Sequence, residues 1–185
     1  MIAAARVTAF ASLGVLSATQ DLVRTAMPSL TRAANPELVA EETLALIATV
    51  TTRAAEVGLQ GTLAQAVGTA LLETPFLYHD YLLGSRLVAE GSEGEVEVDQ
   101  SVYERLGRKM EFYGVHFPVG QFPGPRALSD KLPLWMGRIS PPKLPSTPSE
   151  RLGDLGLDAL VSTHLRLVLA FAQRVGAEGG TNGSG

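Results

Sequence analysis

Apolar residues recur at three- and four-residue intervals over most of this chain, and that period predicts helices. Val7, Phe10, Leu13 and Leu16 mark a first helix, with Ala and Ser between them and Pro28 closing it. Asn35-Pro36-Glu37 is a helix start: a capping amide, a proline in the first turn and an acid at the positive end of the dipole. Leu44, Ile47, Val50, Ala54 and Val57 then form an apolar stripe up to Gly58. A shorter helix is expected from Thr62 to Glu73, with Leu63, Ala66, Val67 and Ala70 on one side. Thr74-Pro75 opens a further one through Phe76, Leu77, Tyr81 and Leu87 to about Ala89. Glu90 to Asp99 reads as an acidic glycine-containing loop, with Val96 and Val98 marking one short edge strand. Ser101 and Glu104 have capping-box spacing for a helix through Leu106 and Met110 that Gly114 stops. From Leu155 to Val175 a last amphipathic helix presents Leu157, Leu160, Val161, His164, Val168, Phe171 and Val175 on one face. The closing GAEGGTNGSG is expected to be a flexible tail.

One stretch breaks the helical pattern. Eight of the 11 prolines lie between Pro118 and Pro148, together with the single tryptophan, Trp135. Proline removes backbone donors and disfavours helix, so this segment is expected to be an extended arm, neither helix nor central strand. Its apolar content is too high for a solvated linker. Phe117, Phe122, Leu134, Trp135, Met136 and Ile139 must be buried somewhere, either in pockets of a partner protein or on the chain's own helices. These six are the candidate partner-binding residues.

Composition narrows the function. The 185 residues allow one domain or a domain with an arm. Charged residues make up only 18%, and the helices are rich in Ala, Gly, Ser and Thr, which pack closely but bury little area each. A thin helical core of this kind points to self-association. Cysteine is absent, which removes disulfides, thiolate metal sites and cysteine nucleophiles. The net charge of −4 is uneven: residues 1–99 hold 5 basic and 12 acidic groups (−7), residues 100–151 hold 8 and 4 (+4), and the remainder 2 and 3 (−1). The basic groups are scattered among prolines with no aromatic-basic recognition motif, so nucleic acid is not an expected partner. The first twenty residues carry one charge, Arg6, and can be read as a signal peptide, a transit peptide or a buried helix; the last is preferred. No uninterrupted apolar run reaches membrane-spanning length.

Chemistry-bearing candidates are few. His79-Asp80 resembles the doublet of HD-class helical phosphohydrolases, but no histidine precedes His79 to complete a metal site. Adjacent helical residues also point about 100° apart. His79, His116 and His164 sit on three segments whose spacing matches no zinc pattern. Glu93, Glu95, Glu97 and Asp99 alternate, which suits a solvated acidic edge against strand pairing better than an EF-hand. Phosphate-cradling glycine motifs and the GxSxG elbow are missing. No cofactor, catalytic residue or metal ligand is assigned.

The expected fold is mostly α: an N-terminal helical, self-associating region (1–91), an acidic loop and connecting helix (92–114), the extended proline-rich arm (115–150), a C-terminal helix (151–176) and a disordered tail (177–185). The expected function is a non-catalytic scaffold or accessory subunit. It would form a homo-oligomer through its N-terminal helices and hold a larger protein partner with the arm and last helix. The layout resembles that of small scaffold subunits in multi-subunit complexes, including those that organise oxidoreductases such as hydrogenases; no motif carries that likeness. The alternatives are a helical small-molecule-binding or membrane-associated protein and, third, a metal-dependent helical hydrolase. The expected location is cytoplasmic, or peripheral to a membrane.

Overall fold

A computed structural model describes residues 2–29, 35–83, 88–90, 96–98, 100–139 and 156–181, and over them the protein is mostly helical. In order come α1 (Ile2–Ala26), a 3-10 turn (Met27–Ser29), α2 (Pro36–Val57) and α3 (Gly61–Leu83). A two-stranded ladder follows, β1 (Val88–Glu90) antiparallel to β2 (Val96–Val98), with Val88 opposite Val98. Then come α4 (Gln100–His116), α5 (Pro125–Ile139) and α6 (Leu157–Thr181).

The organising element is α2. It opens as its sequence dictates: the Asn35 side chain accepts from the Glu37 N–H at 3.0 Å, Pro36 occupies the first turn, and Gly58 caps the far end. Packing comes from α1, α3, α4, α5 and α6 together. Every residue from Glu41 to Thr52 is accordingly buried, where the stripe reading expected one apolar face. Threonine survives there because Thr43, Thr49 and Thr52 donate their hydroxyls to carbonyls four residues back, at 2.6, 2.8 and 2.9 Å.

The proline-rich segment departs most from expectation. From Pro125 to Ile139 it is a helix, not an extended arm. Pro125 is its first residue, where no N–H is needed, so proline starts the helix here instead of preventing it. Pro133 sits inside and is tolerated, because Leu128, Leu132, Trp135, Met136 and Ile139 form a buried stripe that outweighs one lost backbone bond. Phe117, Trp135, Met136 and Ile139 are all buried in the chain's own core, while Phe122 and Leu134 are half-buried. Of the two destinations open for these side chains, Phe117, Trp135, Met136 and Ile139 take the intramolecular one. Pro141, Pro142, Pro145 and Pro148 lie outside the described residues.

Three smaller corrections concern element ends. The two helices expected on either side of Thr74-Pro75 are one, α3, with Pro75 inside. Thr74 Oγ1 is 3.1 Å from Ser12 Oγ, which ties that turn to α1. Residues 88–90, expected at a helix end, pair as β1. The last helix continues to Thr181, so the first part of the expected tail is helical.

Candidate functional site

Two features stand apart from an ordinary helical core: a buried cluster of charges at one side of α2, and an apolar groove on the outer face of α1 and α6.

The cluster begins with consecutive residues, Glu41 and Glu42, which are 2% and 1% exposed. Successive helical positions diverge by about 100°, so the two carboxylates serve different neighbours. Glu41 accepts from His79 Nε2 of α3 at 2.9 Å and from Arg105 Nη2 of α4 at 2.6 Å. Glu42 accepts from Lys109 Nζ at 2.8 Å and from the Tyr113 hydroxyl at 2.8 Å, both on α4. From α5, Arg138 meets it with two parallel N–H bonds of 2.7 and 2.8 Å, the strong bidentate geometry. The Arg138 guanidinium also stacks over the Phe112 ring at 4.4 Å. Beside them, Trp135 Nε1 donates to Thr43 Oγ1 at 3.1 Å.

Burial works to raise both glutamates, but the hydrogen bonds of Arg105 and His79 on Glu41, and of Arg138, Lys109 and Tyr113 on Glu42, outweigh it and hold both carboxyls below the usual range. Burial first, and then the Glu42 charge, push the Tyr113 hydroxyl far up. Both carboxylates are therefore ionised and engaged by the chain's own donors. That arrangement fixes α3, α4 and α5 to α2. It suits a structural lock better than general acid or base chemistry, which needs a group poised near neutrality.

The groove has the opposite character. In α1 the buried stripe is Val7, Ala11, Val15, Ala18, Leu22 and Ala26. Small side chains let α1 approach its neighbours; at Gly14 an added Cβ would lie 2.6 Å from His164 Cε1. The larger residues expected inside turn outward: Leu13 is 66% exposed and Phe10 39%. On α6, Leu167 is 59% exposed, and Phe171 stacks on Phe10 with ring centroids 4.3 Å apart. Phe10, Leu13, Gly14, Leu160, His164 and Leu167 line much of a cleft of about 710 Å³ between the two helices. At its floor His164 Nε2 and Thr51 Oγ1 of α2 share a 2.8 Å hydrogen bond. Burial pushes the His164 imidazole down to about 4, so it is neutral at pH 7. Asp21 is the one charged side chain among the described residues lining the cleft. At the opposite end Glu178 bridges Arg6 and Arg174, at 2.8 and 3.2 Å.

The histidines thus go to three separate places: His79 to Glu41, His164 to Thr51, and His116 edge-on to Phe112 at 4.8 Å. Among the described residues no group of three or more metal-ligating side chains forms. The side chain of Asp80 lies outside the described residues, as do Glu93, Glu95 and Asp99. Sequence reading passed over the charge cluster, although it left a trace: Arg105, Lys109 and Tyr113 recur every four residues along one side of α4, and they face the adjacent acids Glu41 and Glu42 of α2. By length and composition α1 is apolar enough to cross a membrane, while its inner stripe packs against the bundle.

The chain matches no protein-family profile, no curated protein and no solved structure.

Proposed function

We propose that this protein is a non-catalytic scaffold or accessory subunit that joins other protein chains through the outer face of α1 and α6. The observation that carries the reading is the outward placement of Phe10, Leu13 and Leu167 around one groove, on helices whose opposite sides are fully packed. Clustered exposed apolar groups mark interaction surfaces, whereas single ones are ordinary. The interior supports the same reading, since the two buried carboxylates, Glu41 and Glu42, are held ionised by five donors of the chain itself. This revises which residues make contact: α5, within the proline-rich segment, serves the core, and the last helix keeps an outward role.

Gentle native isolation of the full chain, with mass measurement of whatever accompanies it, tests the proposal. A stable complex that Leu13→Glu disperses, with the helical spectrum unchanged, is expected. A wild-type chain that elutes as a solitary monomer at high concentration and carries nothing with it would refute it.

A further inference from the structure

We infer that the cleft between α1 and α6 binds a small, neutral, largely apolar molecule that carries an acceptor oxygen, and that His164 Nδ1 donates a hydrogen bond to that oxygen. The hydrogen bonding of the ring decides the polarity. Thr51 is 0% exposed, and among the described residues its hydroxyl has one partner, His164 Nε2 at 2.8 Å. A hydroxyl carries a single proton, and leaving it buried without an acceptor is costly. The Thr51 proton therefore goes to Nε2, which must be the unprotonated nitrogen. Burial keeps the imidazole neutral at pH 7, so its own proton sits on Nδ1.

That N–H has no acceptor among the described residues, yet it is not sealed in the core. Thr19 Oγ1 is the one buried side-chain oxygen or nitrogen among them that lacks a partner, so Nδ1 opens outward. The opening is the cleft, which both His164 and Gly14 line. Gly14 keeps the approach clear: a Cβ there would stand 3.2 Å from Nδ1 and 2.6 Å from Cε1.

Around this donor the walls are apolar, formed by Phe10, Leu13, Leu160 and Leu167. The one charged lining residue among those described, Asp21, is already paired with Arg24 at 2.7 Å. A neutral imidazole and a satisfied acid offer nothing to a charged ligand, so the occupant is neutral. The cleft volume is about 710 Å³. Small-molecule sites run from about 300 to 1,000 Å³ and are mostly apolar, with a few placed polar groups that fix orientation; the spaces between helices of a bundle are among their usual locations.

The test uses the purified full chain and the neutral naphthyl ketone prodan, whose emission moves to the blue in an apolar site. Saturable, blue-shifted binding is expected for the wild type. Ser17→Phe should remain folded and lose that binding, because Ser17 is exposed on α1 and a ring there fills the cleft. The hydrogen bond is tested by displacing prodan with acetylnaphthalene and with ethylnaphthalene, which differ in the acceptor oxygen. His164→Phe should move the ratio of their affinities about fivefold toward the hydrocarbon, as loss of one neutral hydrogen bond implies. In imidazole nitrogen NMR spectra of the wild type at pH 7, the His164 proton should be found on Nδ1. A wild type without saturable binding, binding that survives Ser17→Phe, or an unchanged ratio in a folded His164→Phe would each overturn the inference. A proton found on Nε2 would overturn it too, and that readout and Ser17→Phe decide the matter if His164→Phe does not fold. Failure on every count leaves the scaffold reading standing, since native isolation of a Leu13-dependent complex needs no ligand.

Discussion

Glu42→Ala should cost this protein about 3 kcal/mol of stability. The change leaves Lys109, whose side chain is 7% exposed, and the buried Tyr113 hydroxyl without their shared acceptor, and frees Arg138. Removing one partner of a buried ion pair typically costs about 3–5 kcal/mol, chiefly because the opposite charge stays buried. Two facts favour the lower end. Glu41 lies 3.5 Å from Lys109 and partly compensates it, and Arg138 is 36% exposed and can turn to water. For a chain of this size the melting temperature should fall by about 6–12 °C. Urea and thermal melts followed by circular dichroism at pH 7 measure it, and a cycle with Arg138→Met isolates that pair. The acid side gives a second signature. Glu42 is held below its ordinary value of 4.5, so its stabilisation is complete above that pH and is lost as pH falls below it. Wild type should lose stability faster than Glu42→Ala in that window. A loss under about 1 kcal/mol at pH 7, or parallel acid profiles, would refute the view that this cluster locks α4 and α5 to α2.

Other outcomes follow from the same packing. Trp135→Ala should cost about 3–5 kcal/mol and leave complex formation by the surviving folded fraction intact, measured by urea titration with native isolation; a folded but dissociated variant would return Trp135 to an interface. Gly58→Ala should destabilise by about 1–3 kcal/mol, because its Cβ would lie 2.7 Å from the Ala172 Cβ and 3.0 Å from the Leu169 carbonyl. Gly107→Ala, in α4 with open space around it, should instead stabilise by about 0.5–1 kcal/mol in the same melts. His164, neutral in the fold with its pKa lowered from 6.5 to about 4, contributes stability that is present above pH 6.5 and lost between there and pH 4; His164→Gln should flatten that part of the stability profile.

The helices were readable where the local code is strong. Asn35-Pro36 set the start of α2 because the cap and the fixed proline φ act within three residues. The face of α6 followed from Leu157, Val161, Val168 and Val175, whose spacing keeps to one side. What failed depended on partners distant in sequence. In α1 the three-residue spacing of Val7, Phe10, Leu13 and Leu16 drifts around the helix, and close packing selected the smaller Val7–Ala11–Val15–Ala18 row. Proline content suggested an extended arm, but Pro125 at a first turn and a Trp135-centred stripe favoured a helix. The ion cluster was hidden because Glu41 and Glu42 look like surface acids until α3, α4 and α5 supply their donors from 38 to 96 residues away.

The most direct measurement exploits the lack of cysteine in the chain. A single Leu13→Cys variant, carrying a short photo-cross-linker on its thiol and irradiated during native isolation, should become covalently joined to another protein chain, as contact at the outer face of α1 requires. Leu77→Cys, equally open to solvent on α3, should remain monomeric under the same conditions. Cross-linking at Leu77 as fast as at Leu13, or at neither, would contradict the account.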